Sequence, residues 1–314
     1  MKIFIAGGAG FIGSHLVEDI LAENKDFKVV VYDNFSSGQK NYLERVKKNY
    51  NLEIVQADVK DLVTLSRVMK KVDLVYHLAS NPDIARSVRQ PDIDFWEGTY
   101  LTNNILEAMR ANGVKKIIYP SGSGVYGDIG KKEVAEDYSP LRPISTYGAS
   151  KLACESLLSA YCHMFGMTAS VFRFANVVGP RQTHGVGYDF IRKLGKNPRR
   201  LEILGDGRQS KSYIYVDDVI RAMRLVERKQ KNGFDCYNVA TLDYLTVTEI
   251  ARIVVEIMGL REVKFEYTGG QRGWKGDVPV VRLNSEKIRK LGWKNQYNSR
   301  EAMIKAVEAL IREN

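Results

Sequence analysis

The chain has 314 residues, of which 44% are hydrophobic and 27% charged, so it is long enough to bury a sizeable apolar core. No apolar run approaches the roughly 20 residues that a bilayer span needs, and no signal-peptide pattern opens the chain, so we expect a soluble, cytoplasmic protein without a membrane partner. The formal net charge of +10 is spread over small basic groups without a recognised nucleic-acid motif, so we expect no nucleic-acid partner.

Short apolar runs alternate with amphipathic stretches in the first part of the chain. Continuous runs rich in β-branched residues predict strands that are buried on both faces of a parallel sheet. The predicted strands cover residues 2–7, 28–33, 52–58, 72–79, 115–121 and 168–176. Helical patterns are found between them at residues 11–21, 62–69, 101–109 and 147–165. The alternation predicts repeated βαβ units and therefore an α/β fold with a doubly wound parallel sheet.

The rhythm changes after Asn176, where a loop rich in glycine and proline covers residues 177–187. We expect a smaller C-terminal α/β region there, and the run "CYNVA" (236–240) has the pattern of a strand that returns to the sheet. The expected division gives residues 1–176 and about 212–242 to the sheet domain, and residues 177–211 and 243–314 to the smaller region.

Three cysteines, Cys154, Cys162 and Cys236, lie far from any CxxC spacing. Their positions are typical neither of a disulfide framework nor of a zinc site. We therefore expect reduced, mostly buried thiols and no metal ion.

A glycine-rich turn, "GGAGFIG" (7–13), follows the first predicted strand. Gly7, Gly10 and Gly13 stand where tight turning and close backbone approach allow a pyrophosphate to rest on a helix N-terminus. Asp33 ends the second predicted strand, about 20 residues on, where a carboxylate binds the adenosine ribose and repels a 2′-phosphate. These features predict a Rossmann site for NAD rather than NADP. Asp58, which ends the third strand, is either a partner of the adenine amino group or a helix cap.

Tyr147 and Lys151 stand four residues apart in "STYGASKLACESL" (145–157), which places them on one face of a helix capped by Ser145 or Thr146. A phenol with its ordinary pKa of about 10 is a poor base at neutral pH. A lysine ammonium one turn away, helped by the positive nicotinamide ring, favours the phenolate. The pair follows a serine-containing loop at the carboxyl end of a strand, where such sheets bind ligands. It therefore predicts a general base, Tyr147, activated by Lys151.

Six motifs together resemble the extended short-chain dehydrogenases/reductases of the nucleotide-sugar epimerase group. They are "GGAGFIG" (7–13), "HLAS" (77–80), "SGSGVYG" (121–127), "YGASK" (147–151), "RFANVVGPRQ" (173–182) and "RGWKGDVP" (272–279). The match covers nearly the whole chain, and the motifs stand in the order of that family.

The resemblance implies an NAD cofactor that stays bound and is recycled. Tyr147 would take the proton of the sugar 4-hydroxyl while a hydride leaves C4 for the nicotinamide, and the 4-keto sugar would turn over before the hydride returns to its other face. Lys151 would hold the nicotinamide ribose and lower the pKa of Tyr147. The implied activity is an isomerase of galactose metabolism that interconverts UDP-glucose and UDP-galactose, with UDP-GlcNAc and UDP-GalNAc as further candidates.

The resemblance also implies contacts for the cofactor and for the UDP-sugar. The implied cofactor contacts are Gly7, Gly10, Phe11, Ile12, Gly13, Asp33, Asn34, Asp58, Val59, Leu78, Ala79, Ser80, Ser121, Tyr147, Lys151 and Ala175. The implied substrate contacts are Ser123, Tyr147, Asn176, Lys211, Arg272 and Asp277. Lys211 stands where many members have an arginine, which keeps the charge but loses bidentate phosphate geometry. "RGWKGD" (272–277) is also two residues wider than the commoner RxGD.

The serine loop departs from the family pattern. Members place Ser or Thr four residues before the loop tyrosine to hydrogen-bond the sugar 4-oxygen, and counting back from Tyr126 gives Gly122. Ser121 and Ser123 flank this position, and either of them could assist Tyr147. The alternatives are that Tyr147 acts directly on the 4-hydroxyl, that the protein is inactive or acts differently, and that both serines only satisfy backbone or cofactor groups.

Other features of the sequence bear on the choice of activity. The related 4,6-dehydratases carry "TDE" at 122–124 and the decarboxylases keep an acid there, whereas this chain has Gly122, Ser123 and Gly124, which favours epimerisation. Val281 stands where relatives restricted to glucose and galactose often have an aromatic residue, so valine would leave room for a 2-acetamido group. Two alternatives stay open: a nucleotide-sugar oxidoreductase with net redox change, and a non-catalytic NAD-binding protein.

Two further expectations follow from the resemblance. Gly98 replaces the usual asparagine of the NVxGT motif, of which Thr102 keeps the last position, and this change would loosen a cofactor contact. Helices within residues 98–112 and 146–165 carry apolar residues beyond a single face, and relatives dimerise through such a pair, so we expect a homodimer. Burial of these helices against the sheet would explain the same pattern.

Overall fold

The computed structural model describes residues 1–229 and 233–313, and strands and helices alternate through most of them. The strands are β1 (Lys2–Ala6), β2 (Lys28–Asp33), β3 (Leu52–Gln56), β4 (Leu74–His77), β5 (Lys116–Gly122), β6 (Thr168–Phe174), β7 (Asn176–Val178), β8 (Arg200–Ile203), β9 (Ser210–Lys211), β10 (Tyr213–Tyr215), β11 (Gly233–Val239), β12 (Leu245–Thr246) and β13 (Lys264–Tyr267).

The helices are α1 (Phe11–Glu23), α2 (Leu62–Val68), α3 (Tyr100–Ala111), α4 (Thr146–Phe165), α5 (Val186–Lys196), α6 (Val216–Lys229), α7 (Val247–Ile257), α8 (Glu286–Lys290) and α9 (Ser299–Glu313). A π-helical turn at Phe95–Thr99 runs directly into α3, and a 3-10 turn covers Ser123–Tyr126. Within the described part of the chain, no helix has the length and apolarity that crossing a membrane requires.

Seven strands form one parallel sheet in the order β11-β6-β5-β4-β1-β2-β3, which confirms the predicted doubly wound α/β fold. The chain winds outward from β1 through β2 and β3 on one side. It then returns to β4 on the other side and continues through β5, β6 and β11. The order therefore reverses between β1 and β4, and ligands of such sheets bind outside the carboxyl ends of the strands at this point.

Each strand of the sheet sends alternate side chains to opposite faces, and both faces are covered by helices. Ile3 and Ile5 of β1 lie in the apolar core shared with α1 and α6, whereas Phe4 and Ala6 lie in the core shared with α2, α3 and α4. The apolar runs in the sequence are continuous because both faces are buried. The three cysteines are free thiols, of which Cys154 and Cys236 are buried and Cys162 is partly buried.

The predicted strand at residues 168–176 is two strands in the structure. β6 ends at Phe174, and Asn176 begins β7, which leaves the central sheet and pairs with β10. The predicted return strand is confirmed, because β11 lies beside β6 along its whole length. Two more small sheets, β9 with β12 and β8 with β13, belong to the C-terminal part. The division of the chain into domains stays a prediction.

Asp218 in the first turn of α6 anchors the segment that precedes α9. Its side chain is fully buried and accepts hydrogen bonds from the backbone amide of Gln296 at 2.7 Å and, more weakly, from that of Tyr297 at 3.4 Å. The indole of Trp293 donates to the carbonyl oxygen of Asp218 at 3.0 Å. This aspartate therefore joins a helix that covers the sheet to the C-terminal segment.

We predict that Asp218→Ala lowers the free energy of unfolding by about 2 kcal/mol, because it removes a buried carboxylate that accepts from two half-buried amides and pairs with Arg221. Urea unfolding followed by circular dichroism measures the change. Asp217→Ala is the matched control, since the neighbouring Asp217 lies in the same helical turn and is exposed. Equal effects of the two substitutions would contradict the anchoring role of Asp218.

Candidate active site

The glycine-rich turn between β1 and α1 leaves no room for a side chain at Gly7 or Gly13. Gly7 has φ +77°, and a Cβ on it would lie 2.9 Å from the Cα of Ala79. A Cβ on Gly13 would lie 2.8 Å from the Cα of Gly8. The helix α1 begins at Phe11 after Gly10, and no side chain caps its N-terminus. The amides of Phe11 and Ile12 therefore present a positive helix end that an anionic pyrophosphate can approach closely.

Asp33 lies at the carboxyl end of β2, next to this turn, and is 8% exposed. Its two carboxylate oxygens accept hydrogen bonds from the amides of Ala9 at 2.9 Å and Phe35 at 2.8 Å. Burial raises the pKa of the carboxyl group, and the two amide donors oppose that shift. An uncapped helix end, a cradle without side chains and a carboxylate at the end of β2 fit the pyrophosphate and the ribose of NAD.

The structure excludes one of the two predicted roles of Asp58, that of a helix cap. The cap of α2 is Asp61, which accepts from the amide of Thr64 at 3.1 Å. Asp58 instead accepts from the amide of Lys60 and from the side chain of Asn34, both at 2.8 Å. It therefore fixes Asn34, another predicted cofactor contact, beside the end of β2. Its predicted contact with adenine stays a prediction.

The other predicted cofactor residues lie around the carboxyl ends of the central strands. Leu78, Ala79 and Ser80 follow β4, Val59 follows β3, and Ala175 separates β6 from β7. The position of the missing asparagine, Gly98, is crowded, because a Cβ there would collide with the hydroxyl of Ser150. Thr102 donates to the carbonyl oxygen of Gly98 at 3.0 Å. Ser150 therefore occupies the space that a side chain at position 98 would need.

Tyr147 and Lys151 lie in the first two turns of α4, as predicted, and the helix is capped by Ser145, whose hydroxyl accepts from the amide of Gly148 at 3.1 Å. Lys151 is buried, and its Nζ donates to the carbonyl oxygen of Pro120 at 2.9 Å. The same Nζ lies 5.6 Å from the centre of the Tyr147 ring. The spacing of four residues thus brings the ammonium and the phenol together beside the end of β5.

The pKa values of the pair are shifted mainly by burial. Burial lowers the pKa of Lys151 to about 8, against the opposing effects of Cys154, Glu155 and Asp94. Burial also raises the pKa of Tyr147 above its ordinary value, and Asp94 and Cys154 raise it further. The low pKa of the tyrosine that the resemblance implies is therefore not produced by the two side chains alone. It requires further positive charge beside Tyr147.

Two buried carboxylates near the pair were not singled out in the sequence. Asp94 is 2% exposed and accepts from the amide nitrogen of Asn81 at 2.8 Å and from the hydroxyl of Thr146 at 2.7 Å. It comes just before the π-helical turn, and no spacing rule links it to Tyr147. Glu155 is 4% exposed and follows Lys151 by four residues on α4, so helical spacing alone could have identified it.

The two serines of the loop after β5 have different surroundings. The hydroxyl of Ser121 is buried and donates to Glu155 Oε1 at 2.6 Å. Ser123 begins the 3-10 turn, and its hydroxyl has no hydrogen-bond partner within residues 1–229 and 233–313. Gly122 between them has extended backbone angles, φ −157° and ψ 165°, and open space where a Cβ would stand. Of the two flanking serines, Ser123 is therefore the one with a free hydroxyl.

Four of the six predicted substrate residues form a second group, on β7, β9 and the loop before residue 278. Lys211 Nζ lies 2.6 Å from Asp277 Oδ1, and the other carboxylate oxygen of Asp277 accepts from the amide of Gly273 at 3.1 Å. Arg272 donates to the carbonyl oxygen of Asp277 and to the side chain of Asp128. Lys211, Arg272 and Asp277 are thus brought together, in spite of the wider spacing of "RGWKGD".

Asn176 and Val281 lie at the edges of this group. The side chain of Asn176 donates to the carbonyl oxygen of Ser212 at 3.3 Å, next to Lys211 in the chain. Val281 is 8% exposed and packs in the apolar core. That valine at this position leaves room for a 2-acetamido group on the sugar stays a prediction.

Comparisons with known proteins agree with this geometry. The model of the NAD dependent epimerase/dehydratase family matches residues 3–240. A putative UDP-glucose 4-epimerase from Methanocaldococcus jannaschii is 33% identical over 319 residues, which cover 99% of each chain. A dTDP-D-glucose 4,6-dehydratase from Mus musculus is 30% identical over 98% of this chain and 88% of its own. A solved structure of UDP-galactose 4-epimerase is 38% identical and superposes with a TM-score of 0.89, covering 100% of this chain and 99% of that one.

We predict that Asp33→Asn reduces the preference for NAD over NADP by about tenfold or more, because it removes the charge that repels a 2′-phosphate. The asparagine keeps the shape of the side chain and one acceptor for the amides of Ala9 and Phe35. Calorimetric titration of both dinucleotides against wild type and variant gives the ratio of the dissociation constants. An unchanged ratio would contradict the assignment of Asp33 to the adenosine ribose.

Proposed function

The chain belongs to the NAD-dependent epimerase/dehydratase family, and within this family we propose that it is a 4-epimerase that interconverts UDP-glucose and UDP-galactose. Relatives named as epimerases and relatives named as dehydratases have similar sequence identity to this chain. Sequence identity alone therefore does not separate the two activities. The proposal therefore depends on the chemistry of the groups that surround Tyr147.

The observation that carries the proposal is the lack of an acid in the loop that follows β5. Elimination of water from the sugar needs a group that donates a proton to the leaving hydroxyl, and the loop offers only Gly122, Ser123 and Gly124. The two carboxylates that lie nearby are engaged. Glu155 is paired with Arg173, and Asp94 accepts hydrogen bonds from Asn81 and Thr146. Epimerisation needs no such acid, because the oxygen on C4 stays in place.

Tyr147 is the proposed base and acid of the reaction. Its phenolic oxygen takes the proton of the 4-hydroxyl as C4 is oxidised to a ketone, and it returns the proton when C4 is reduced from the other face. Lys151 supplies positive charge beside the phenol and holds its position through the carbonyl oxygen of Pro120. Bound NAD supplies the acceptor and then the donor of the hydride, as well as the further positive charge that Tyr147 requires. No net oxidation results.

Ser123 is the proposed partner of the sugar 4-oxygen in place of the missing residue at position 122. Its hydroxyl is free, whereas that of Ser121 is held by Glu155. A hydroxyl that stabilises the developing charge on the 4-oxygen contributes a few kcal/mol, roughly, at the transition state. Direct action of Tyr147 without help would give slower turnover.

The diphosphate and uridine are assigned to the group formed by Lys211, Arg272, Asp277 and Asn176. Two cations match a diphosphate, and Asp277 is the proposed acceptor for the uridine ribose hydroxyls. Lys211 and Asp277 pair with each other at 2.6 Å, so binding would exchange this pair for contacts with the ligand. The substrate-binding role of residues 177–211 and 243–314, a cytoplasmic location and a homodimer through α3 and α4 belong to the same proposal.

We predict that the purified protein converts UDP-galactose to UDP-glucose without accumulating NADH, and that Tyr147→Phe lowers kcat by about a hundredfold or more while UDP still binds. Product formation is followed by chromatography and absorbance at the NADH band in parallel. NADH accumulation with each turnover would support a net oxidoreductase instead. A wild-type protein that binds NAD yet converts none of UDP-galactose, UDP-GlcNAc and UDP-GalNAc would contradict the proposal.

We predict that Gly122→Ser raises kcat roughly tenfold, since the extended backbone and open space accept the side chain and the new hydroxyl reaches the sugar 4-oxygen. Gly122→Ala is the matched control and should give no increase. Ser123→Ala should lower kcat in the wild-type background and have less effect when it is combined with Gly122→Ser. Equal rates for the serine and alanine variants at position 122 would contradict this account of the loop.

A further inference from the structure

Glu155 lies on the same face of α4 as Tyr147 and Lys151, at successive intervals of four residues. Lys151 donates to the carbonyl oxygen of Pro120 at 2.9 Å, and Glu155 accepts from the hydroxyl of Ser121 at 2.6 Å. Two consecutive residues at the end of β5 are therefore attached to two consecutive turns of the helix that carries Tyr147.

Arg173 of β6 completes this arrangement from the neighbouring strand. Its Nε and Nη2 donate to the Glu155 carboxylate, with the shortest distance 2.7 Å, and the two side chains are 6% and 4% exposed. Its Nη1 donates to the hydroxyl of Tyr126 at 2.8 Å. The Tyr126 hydroxyl in turn donates to Asn238 Oδ1 at 2.8 Å. One buried ion pair thus holds Ser121 at the start of the loop and Tyr126 at its end.

Between these two anchors, Val125 packs in the apolar core and the other three residues contribute no side-chain contact that fixes the loop. Gly122 and Gly124 have no side chains, and the hydroxyl of Ser123 has no partner within the described residues. Besides the burial of Val125 and the close packing of Gly124 against Gly148, the loop is positioned by the hydrogen bonds at its ends. Burial of this ion pair costs desolvation free energy that two apolar side chains of similar volume would not cost.

We propose that Glu155 and Arg173 are a positioning pair for the reaction at Tyr147, because they fix the glycine-rich loop and the end of β5 against the catalytic helix. The inference deepens the proposed function and rests on it, since it assigns to the pair the placement of the Ser123 hydroxyl and of the Lys151 ammonium. Neither residue needs to touch the substrate.

The electrostatics of Lys151 support a role for the charge of Glu155. Cys154, Glu155 and Asp94 raise the pKa of the lysine against the dominant effect of burial. The remaining groups that face Lys151 are the rings of Tyr119 and Tyr147 and the buried His77 of β4, whose own pKa burial and Lys151 lower to about 3. Loss of the Glu155 charge therefore lowers the pKa of Lys151, and the ammonium is lost at a lower pH.

A second group of a glutamate, an arginine and a tyrosine provides a control, in which the arginine, Arg224, also pairs with Asp19 and Glu23. Glu227 and Arg224 on α6 form a buried ion pair, with side chains 11% and 4% exposed, and the hydroxyl of Tyr76 donates to Glu227 at 2.5 Å. Like the first cluster, it is a Glu–Arg–Tyr group within the fold. Its hydrogen bonds and ion pairs join α6 to β4 and α1, and among the described residues none of them reaches the loop after β5 or Lys151.

The experiment compares Glu155→Gln with Glu227→Gln. We expect Glu155→Gln to lower kcat for UDP-galactose by about tenfold or more with KM and NAD binding little changed, because the reacting groups are misplaced rather than lost. In the variant, we expect the alkaline pH at which kcat falls to half to be lower by about 0.5 pH unit, since Lys151 loses its proton at a lower pH. Tyr126→Phe, which removes one hydroxyl only, should lower kcat without changing this pH. Glu227→Gln, which removes a charge from a glutamate–arginine pair elsewhere in the fold, should leave kcat and its pH profile unchanged.

Hydrogen exchange of a peptide that covers residues 119–128 provides a readout independent of the substrate. We expect faster exchange in Glu155→Gln than in wild type and Glu227→Gln. If Glu155→Gln shows this faster exchange while the wild-type protein has no epimerase activity, the positioning role stands and the proposed substrate fails. If wild type is active while Glu155→Gln matches Glu227→Gln in kcat, pH profile and exchange, the positioning role is overturned and the proposed function stands.

Discussion

The burial of one ammonium group, that of Lys151, constrains the rest of the site. A lysine that leaves water loses the charged form unless acceptors and negative charges surround it, and here burial brings its pKa down to about 8. The carbonyl oxygen of Pro120 accepts one of its protons, and Glu155 and Asp94 provide negative charge. These requirements fix α4 against the end of β5, and Tyr147 is carried into place because it lies one turn earlier on the same face.

The same burial explains why the site depends on its cofactor for acidity as well as for redox chemistry. Removal from water raises the pKa of Tyr147, and Asp94 raises it further, so the phenol is a weak acid in the protein alone. A positive charge placed beside the ring reverses this effect. No carboxyl group of the site is available to donate a proton to a leaving hydroxyl. Glu155 is paired with Arg173, Asp94 accepts hydrogen bonds, and the loop at 122–124 contains no acid. This arrangement supports the proposed exchange of a proton and a hydride at a single carbon.

Local sequence patterns predicted most of the fold and the core of the site. Apolar runs located all seven sheet strands, and the spacing of four between Tyr147 and Lys151 placed them together on α4. Contacts between distant segments were not predictable in this way. Arg173 meets Tyr126 across 47 positions, and Lys211 meets Asp277 across 66. Such partners depend on how the elements pack, so the engagement of Ser121 by Glu155, which leaves Ser123 as the free hydroxyl, could be found only in three dimensions.

The central claim is that this site oxidises and reduces C4 of a UDP-hexose without eliminating water. The most direct test is to run the reaction with UDP-galactose in D2O and to determine the mass and the carbon-bound deuterium of the product. The proposed reaction gives UDP-glucose with no deuterium on carbon, because the hydrogen removed from C4 is the one returned to it. A product that has lost one water, or that carries solvent deuterium on carbon, would exclude the proposed reaction.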